Sequence, residues 1–307
     1  MIMKKFIELG KRIYNTSNPR EVHRLAVFVG RCMAHRSAMK RFMDFFYHDE
    51  LRSIIIERNP FPLEQATRAF FYAGSTLAER IKLICNHFLI EQKYLTQDWF
   101  VRLNTDEQYK IWQSNEQDIN WYTILHMAPG QRKEGLMAIN MHVDMKDNPI
   151  YQIMFWLNTD KNGDESMWIG AMQGPNVANA NEIIKDITKR SHRYRTKNLI
   201  LYMTMAVARS FNCKHIYAVS NDGYYAMNHI RRDRKLKTDF GAFWEEAGGH
   251  KTDDHRFYEI PLVESRKTMA EVPTRKRAVY RKRFAFQDDV DIQIETNMQK
   301  IMRKVCK

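Results

Sequence analysis

The stretch 137–144, MAINMHVD, decides how the second half of the chain is interpreted. Its apolar residues alternate with smaller or polar ones, and this period of two predicts a half-buried β-strand. Two further strands are predicted over 150–157 and 167–172, with the turn residues DKNG at 160–163 between them. Together the three strands predict an antiparallel meander.

Helices and strands then alternate toward the C-terminus. The pattern predicts helices over 179–189 and 199–211, a buried strand over 214–220, a short helix over 240–247 and a strand over 257–262. The resulting order, β-β-β-α-α-β-α-β, indicates a mixed β-sheet accompanied by helices.

The pattern before about residue 125 is helical. Thr76 and Glu79 fit a capping box, and an apolar stripe with spacings of three and four residues follows them. The sequence therefore predicts an α+β protein in which an N-terminal helical region packs on the mixed sheet. The predicted regions are 1–130 (mainly helical), 131–285 (mixed α/β) and 286–307 (a C-terminal helical tail).

Composition and charge exclude some classes of protein. The 307 residues include 49 Lys and Arg against 36 Asp and Glu, a net charge of +13, with 44% hydrophobic residues. This is the composition of a globular protein. No apolar run approaches the roughly 18 residues of a membrane span, and residues 1–11 lack the apolar segment of a secretory signal. We expect a cytoplasmic protein without a transmembrane segment.

The cysteines and histidines predict no special chemistry. The four cysteines are widely spaced and form no CxxC pair, so we expect free thiols. No group of residues has the spacing of a metal site, and none is predicted.

Much of the positive charge lies in three short runs. Residues 189–197, 231–237 and 275–283 contain five, five and six Lys or Arg residues. One interpretation is that these are solvated loops and helix ends. The other is that they form one anion-binding face for an anionic lipid surface or a phosphorylated ligand. The first run precedes the helix predicted from residue 199, where backbone N–H groups favour a phosphate.

Nucleic acid is the competing partner, because basic residues are interleaved with tyrosines. A nucleic-acid reader is expected to combine a basic face with a recognisable module. No helix-turn-helix, zinc finger, RNP-type strand or GXXG loop is present. The sequence therefore favours other partners, and an RNA-binding regulator remains an alternative.

Five short motifs in order resemble the VirK/YbjX family. They are NPFP at 59–62, IGAMQGP at 169–175, AVSN at 218–221, FWEE at 243–246 and VPTRKRAVYRKR at 272–283. The family occurs in Gram-negative bacteria and has no established activity, but its members are linked to virulence and to the state of the cell envelope. The resemblance implies an accessory factor of the envelope or of virulence, cytoplasmic or peripheral on the inner membrane, with an envelope component as a partner.

The order of elements also resembles the N-acetyltransferase-like fold. That resemblance implies an acyl- or aminoacyl-transferase with a phosphate-bearing donor such as acyl-CoA, held by Arg193, Arg195, Lys197 and Asn198. The fold's R/Q-x-x-G-x-G/A motif, placed on Arg193, puts its glycine positions at Thr196 and Asn198. The standard motif is therefore absent, and no cofactor is established.

A transferase would require polar side chains that converge on its ligand. Gln173, Ser220 and Asn221 lie at predicted strand ends, and His142 on the first strand is the candidate general base, because an unperturbed histidine side chain titrates near neutral pH. The alternatives are a solvent-facing strand residue for His142 and a simple turn for Ser220 and Asn221.

Overall fold

The structure, a computed structural model, describes residues 2–105, 107–128, 132–144, 148–175, 179–228 and 239–304. Within these ranges the chain is α+β, with eleven α-helices and one eight-stranded mixed sheet. The predicted fold class is confirmed.

Seven helices form the N-terminal region, and polar side chains begin four of them. The helices are α1 (Ile2–Ile13), α2 (Pro19–Ala34), α3 (Arg36–Tyr47), α4 (Glu50–Arg58), α5 (Phe61–Thr67), α6 (Leu77–Tyr94) and α7 (Gln97–Leu103). Asn18, Asp49, Thr76 and Thr96 each accept a hydrogen bond from a first-turn backbone N–H, which would otherwise lack a partner. At α6, Thr76 and Glu79 form the complete predicted capping box.

Five antiparallel strands follow in a meander. They are β1 (Gln108–Gln113), β2 (Trp121–Met127), β3 (Met137–Val143), β4 (Tyr151–Thr159) and β5 (Glu165–Gln173). The last three lie where the sequence predicts strands. The prediction of helix up to about residue 125 is wrong for β1 and β2. A bulge between Lys110 and Trp112 interrupts the alternation of β1, and β2 is buried along most of its length, so neither has a clear period of two.

The remaining elements complete the sheet and cover it. They are α8 (Ala180–Arg190), α9 (Thr196–Ser210), β6 (His215–Val219), α10 (Phe240–Glu246), β7 (His250–Lys251), β8 (Phe257–Ile260) and α11 (Arg277–Ile301). The strand order is β1-β2-β3-β4-β5-β6-β8-β7, and β6 is parallel to β5. Helix α11 is continuous, so the predicted division between 285 and 286 falls inside it.

Helices α9 and α11 pack on one face of the sheet. The Thr123 hydroxyl contacts the Met203 sulfur of α9 at 3.3 Å, and the Trp121 ring stacks on Phe286 of α11 with centroids 5.9 Å apart. Successive strand residues point to opposite faces. Asn140 and His142 of β3 therefore point to the other face, away from α9 and α11.

No helix in the described ranges has the length and hydropathy needed to span a membrane. Cys32, Cys85 and Cys213 carry free thiols.

Candidate functional site

A row of polar side chains crosses the sheet on the face opposite α9 and α11. Asn140, Gln152 and Gln173 lie directly opposite one another on β3, β4 and β5. Gln152 Nε2 donates to Gln173 Oε1 at 3.0 Å, and Gln173 Nε2 donates to Glu134 Oε2 at 2.8 Å. The Tyr224 hydroxyl donates to the other oxygen of Glu134. We call these five residues the polar row.

Glu134 is the titratable group of the polar row. Its side chain is almost fully buried, and burial raises its pKa from 4.5 to about 7, although the hydrogen bonds from Tyr224 and Gln173 oppose the shift. A carboxyl group with this pKa can accept or release a proton near neutral pH. Glu134 is in the loop between β2 and β3, where no sequence pattern marked it.

His142 and His126 lie on the same face as the polar row. His142 is only 8% exposed and stacks on Tyr122 with centroids 5.3 Å apart, so the solvent-facing interpretation is wrong. Burial lowers the pKa of His126 to about 4. The side chain of Asn140 opposes this shift, but within the described ranges His126 Nε2 and Asn140 Oδ1 have no hydrogen bond of good geometry. Both side chains are buried on the face of the polar row.

Ser220 and Asn221 hold the turn after β6 and the start of α10. Ser220 Oγ donates to the His255 carbonyl at 2.9 Å and accepts from the Gly223 N–H at 3.0 Å. Asn221 Oδ1 accepts from the Phe240 N–H at 2.8 Å. These are the contacts of turn residues, which is the second interpretation that the sequence left open. Of the predicted catalytic group, only His142 and Gln173 share the face of the polar row.

Main chain occupies the space expected as a pocket between β5 and β6. The two strands pair only as far as Ile169 and Ala218. Beyond that point the Phe71 N–H donates to the Lys133 carbonyl at 2.8 Å. A Cβ atom on Gly170 would lie 1.8 Å from the Glu134 carbonyl oxygen. The polar row therefore closes this gap instead of lining an open cleft.

The predicted phosphate-binding residues surround the first turn of α9. Arg195 and Lys197 both form ion pairs with Glu246 of α10, the latter at 3.0 Å. Arg193 is exposed, and Asn198 Oδ1 is buried without a hydrogen-bond partner among the residues that the structure describes. A phosphate at this helix start would have to displace the carboxylate of Glu246.

Two of the three basic runs meet at Arg283. Its Nε donates to the His192 carbonyl at 3.2 Å and its Nη2 donates to the Arg193 carbonyl at 3.0 Å. Burial lowers the pKa of His192, and the charges of Lys282 and Arg283 lower it further. The charges of 275–283 therefore act directly on the 189–197 loop.

We call Lys189, Arg193, Lys282 and Arg283 the basic face. Lys189, Arg193 and Lys282 are exposed, and none of the four forms an ion pair with an acidic residue in the described part of the chain. The third run, 231–237, lies outside the described residues.

Comparison with known proteins agrees with the motifs. Over 247 residues the chain is 26% identical to the uncharacterized protein YbjX of Escherichia coli K12, which covers 80% of this chain and 74% of the relative. An uncharacterized protein of Haemophilus influenzae is 24% identical over 269 residues, 87% of each chain. No solved structure matches. Residues 17–296 match the family described as a protein of unknown function, DUF535. This chain therefore belongs to the DUF535 family, which confirms the resemblance to VirK/YbjX proteins.

Proposed function

We propose that this protein is an accessory factor of the cell envelope that binds the anionic lipid surface of the inner membrane from the cytoplasmic side. The observation that carries the proposal is the contact of Arg283 with the 192–193 backbone, which brings two basic runs into one face. The link to envelope state and virulence is supported by the family resemblance.

The charges of the basic face suit this partner. Each Lys or Arg near an anionic bilayer contributes about 1 kcal/mol of binding free energy, and the attraction is screened over a Debye length of about 8–10 Å. Unpaired residues contribute most, because no intramolecular ion pair has to be broken. Tyr280, half-buried with its ring 4.6 Å from the Arg283 guanidinium, supplies an aromatic group beside these charges.

Sedimentation with lipid vesicles tests the proposal. We expect the protein to bind vesicles of phosphatidylglycerol and phosphatidylcholine but not of phosphatidylcholine alone. The triple variant Lys189→Gln, Arg193→Gln, Lys282→Gln should weaken binding about 100-fold, since the three lost charges together remove about 3 kcal/mol of binding free energy.

The matched control, Lys5→Gln, Lys11→Gln, Lys82→Gln, removes three exposed charges elsewhere and should change binding by no more than about threefold. If both triple variants lost vesicle binding equally, the overall positive charge of the protein, and not the basic face, would be responsible for binding. Equal partition to both kinds of vesicle would overturn the proposal. Tighter, sequence-dependent binding to RNA would replace it with the regulator hypothesis.

A second candidate function is an acyl- or aminoacyl-transferase, which would require the closed gap beside Glu134 to open for its substrate. A transferase needs a group that takes a proton from the attacking amine or hydroxyl, and Glu134 has a suitable pKa. The donor site does not fit acyl-CoA as it stands, because Glu246 already pairs with Arg195 and Lys197.

Calorimetry with coenzyme A tests this second candidate. Glu246→Gln should tighten binding by freeing both cations, and adding Arg195→Ala to that variant should weaken it again. Absence of binding at millimolar ligand in both wild type and Glu246→Gln would exclude this donor.

A further inference from the structure

Three metal-ligating side chains meet where the β4–β5 turn passes the start of β6. Asp160 and Asp164 belong to the turn, and His215 is the first residue of β6. One ligand atom from each lies within 4.8 Å of the other two, and Asp164 Oδ2 is 4.0 Å from His215 Nε2. Metal–ligand bonds of about 2.0–2.2 Å place tetrahedral ligand atoms about 3.4 Å apart. Rotation of the side chains is therefore enough to close the site.

The imidazole of His215 is oriented by a residue outside this group. Its Nδ1 lies 2.7 Å from Glu259 Oε1 of β8, so the Nδ1–H is donated to that carboxylate. Its Nε2 faces Asp164 Oδ2, with the two atoms 4.0 Å apart. A carboxylate behind a histidine is the arrangement that holds metal-binding imidazoles in proteins.

Asp160 is held in place as well. Its Oδ1 accepts from the backbone N–H groups of Asn162 and Asp164 at 2.8 and 2.9 Å, and its Oδ2 accepts from the Tyr217 hydroxyl at 3.2 Å. These contacts fix the carboxylate on a tight turn and on a strand, which limits the cost of ordering it around an ion.

The two aspartates give the group a negative charge. In the described part of the chain neither Asp160 nor Asp164 forms an ion pair with a Lys or Arg; Lys161 of the same turn pairs with Asp253 instead. A divalent cation held among these ligand atoms would supply the balancing positive charge.

We propose that Asp160, Asp164 and His215 bind a divalent transition-metal ion such as Zn²⁺. Imidazole with carboxylate ligands suits Zn²⁺ and its first-row neighbours better than Ca²⁺ or Mg²⁺, which prefer oxygen ligands alone. The sequence did not predict the site because His215 is far from the turn along the chain.

Titration with Zn²⁺ by calorimetry tests the site, with Co²⁺ absorption as a report on the ligands. Wild type should bind one ion saturably at this site, and the Co²⁺ spectrum should have the intensity of a low-coordinate complex. Asp164→Asn and His215→Gln should each weaken Zn²⁺ binding about tenfold or more. Asp164 is exposed on a turn, so its variant should fold normally.

Asp253→Asn is the matched control, because Asp253 contacts the same turn through Lys161 but offers no ligand to the site. It should bind Zn²⁺ within about twofold of wild type, since no ligand is lost. If Asp164→Asn bound Zn²⁺ as tightly as wild type, or if the control lost as much affinity as Asp164→Asn, the ion would be bound by other histidines. Either result would overturn the proposal. Absence of saturable binding would also overturn the proposal.

Discussion

Arg283 donates from Nε to the backbone carbonyl oxygen of His192, 3.2 Å away, although α11 and the loop before α9 are about 90 residues apart. His192 and Arg193 both have left-handed backbone conformations, with φ of 51° and 64°. Such angles are unfavourable for residues with a Cβ atom. The Arg283 guanidinium thus stabilises a loop conformation that is intrinsically unfavourable for His192 and Arg193.

Arg283→Lys should reduce the free energy of unfolding by about 1–2 kcal/mol, because an ammonium group cannot reproduce the geometry that reaches two carbonyls. Urea unfolding measures the change. Arg281→Lys, at an exposed neighbouring position, is the control and should be neutral. Equal stability of the two variants would show that the Arg283 contacts contribute nothing to the fold.

Glu134→Gln should change how stability depends on pH. The folded-state pKa of Glu134, about 7, lies above the unfolded value of 4.5, so the native state binds the proton more tightly. Its contribution to stability is complete below pH 4.5 and is lost as the pH rises to about 7. The loss amounts to about 3 kcal/mol. The difference in unfolding free energy between wild type and variant, measured from pH 5 to 8, should follow this curve. The control Glu182→Gln, at an exposed position, should not change the pH dependence of stability. If the difference in unfolding free energy between wild type and Glu134→Gln did not vary with pH, the raised pKa of Glu134 would be wrong.

Gly170→Ala should destabilise the fold by about 3 kcal/mol or more, because its Cβ atom would collide with the Glu134 carbonyl and separate β5 from the inserted loop. Gly30→Ala is the opposite case. Gly30 lies inside α2 with no atom within 4 Å of an added Cβ, so alanine should stabilise the protein by about 0.5–1 kcal/mol. Thermal unfolding measures the change in stability of both variants. If Gly170→Ala and Gly30→Ala changed stability by similar amounts, the close approach of the Glu134 backbone to Gly170 would not be required.

Glu91 and His87 form a fully buried pair between α6 and β4. Burial raises the pKa of Glu91 to about 8 and lowers that of His87, so both are neutral at pH 7. His87 Nδ1 accepts from the Leu157 N–H at 3.0 Å, and Glu91 Oε2 accepts from Asn104 Nδ2 at 2.6 Å.

Glu91→Gln should therefore cost less than about 1 kcal/mol, since its carbonyl can still accept from Asn104. Glu91→Ala leaves a cavity and an unsatisfied amide and should cost about 2–4 kcal/mol. Urea unfolding separates the two. Equal destabilisation would mean that the native state needs an ionised Glu91.

Features set by neighbouring residues could be read from the sequence. The capping box of Thr76 and Glu79 involves residues three positions apart, and the strand at 137–143 shows its alternation within one stretch. The short helix α10 lies within the predicted range 240–247, and Asp239 accepts a hydrogen bond from the Ala242 N–H at its first turn. These local patterns determined the predicted fold class.

Tertiary structure alone decided which distant residues meet. Tyr224 and Glu134 are 90 residues apart, and the sheet brings them to one row with Gln173. The same holds for the basic runs, which became one face only through Arg283, and for Ser220, whose hydroxyl is used by its own turn. The sequence specifies the type of each side chain. Which residues that side chain contacts depends on how the strands pair and on which face of the sheet it lies. Those are properties of the whole sheet, so the candidate sites emerged only from the folded chain.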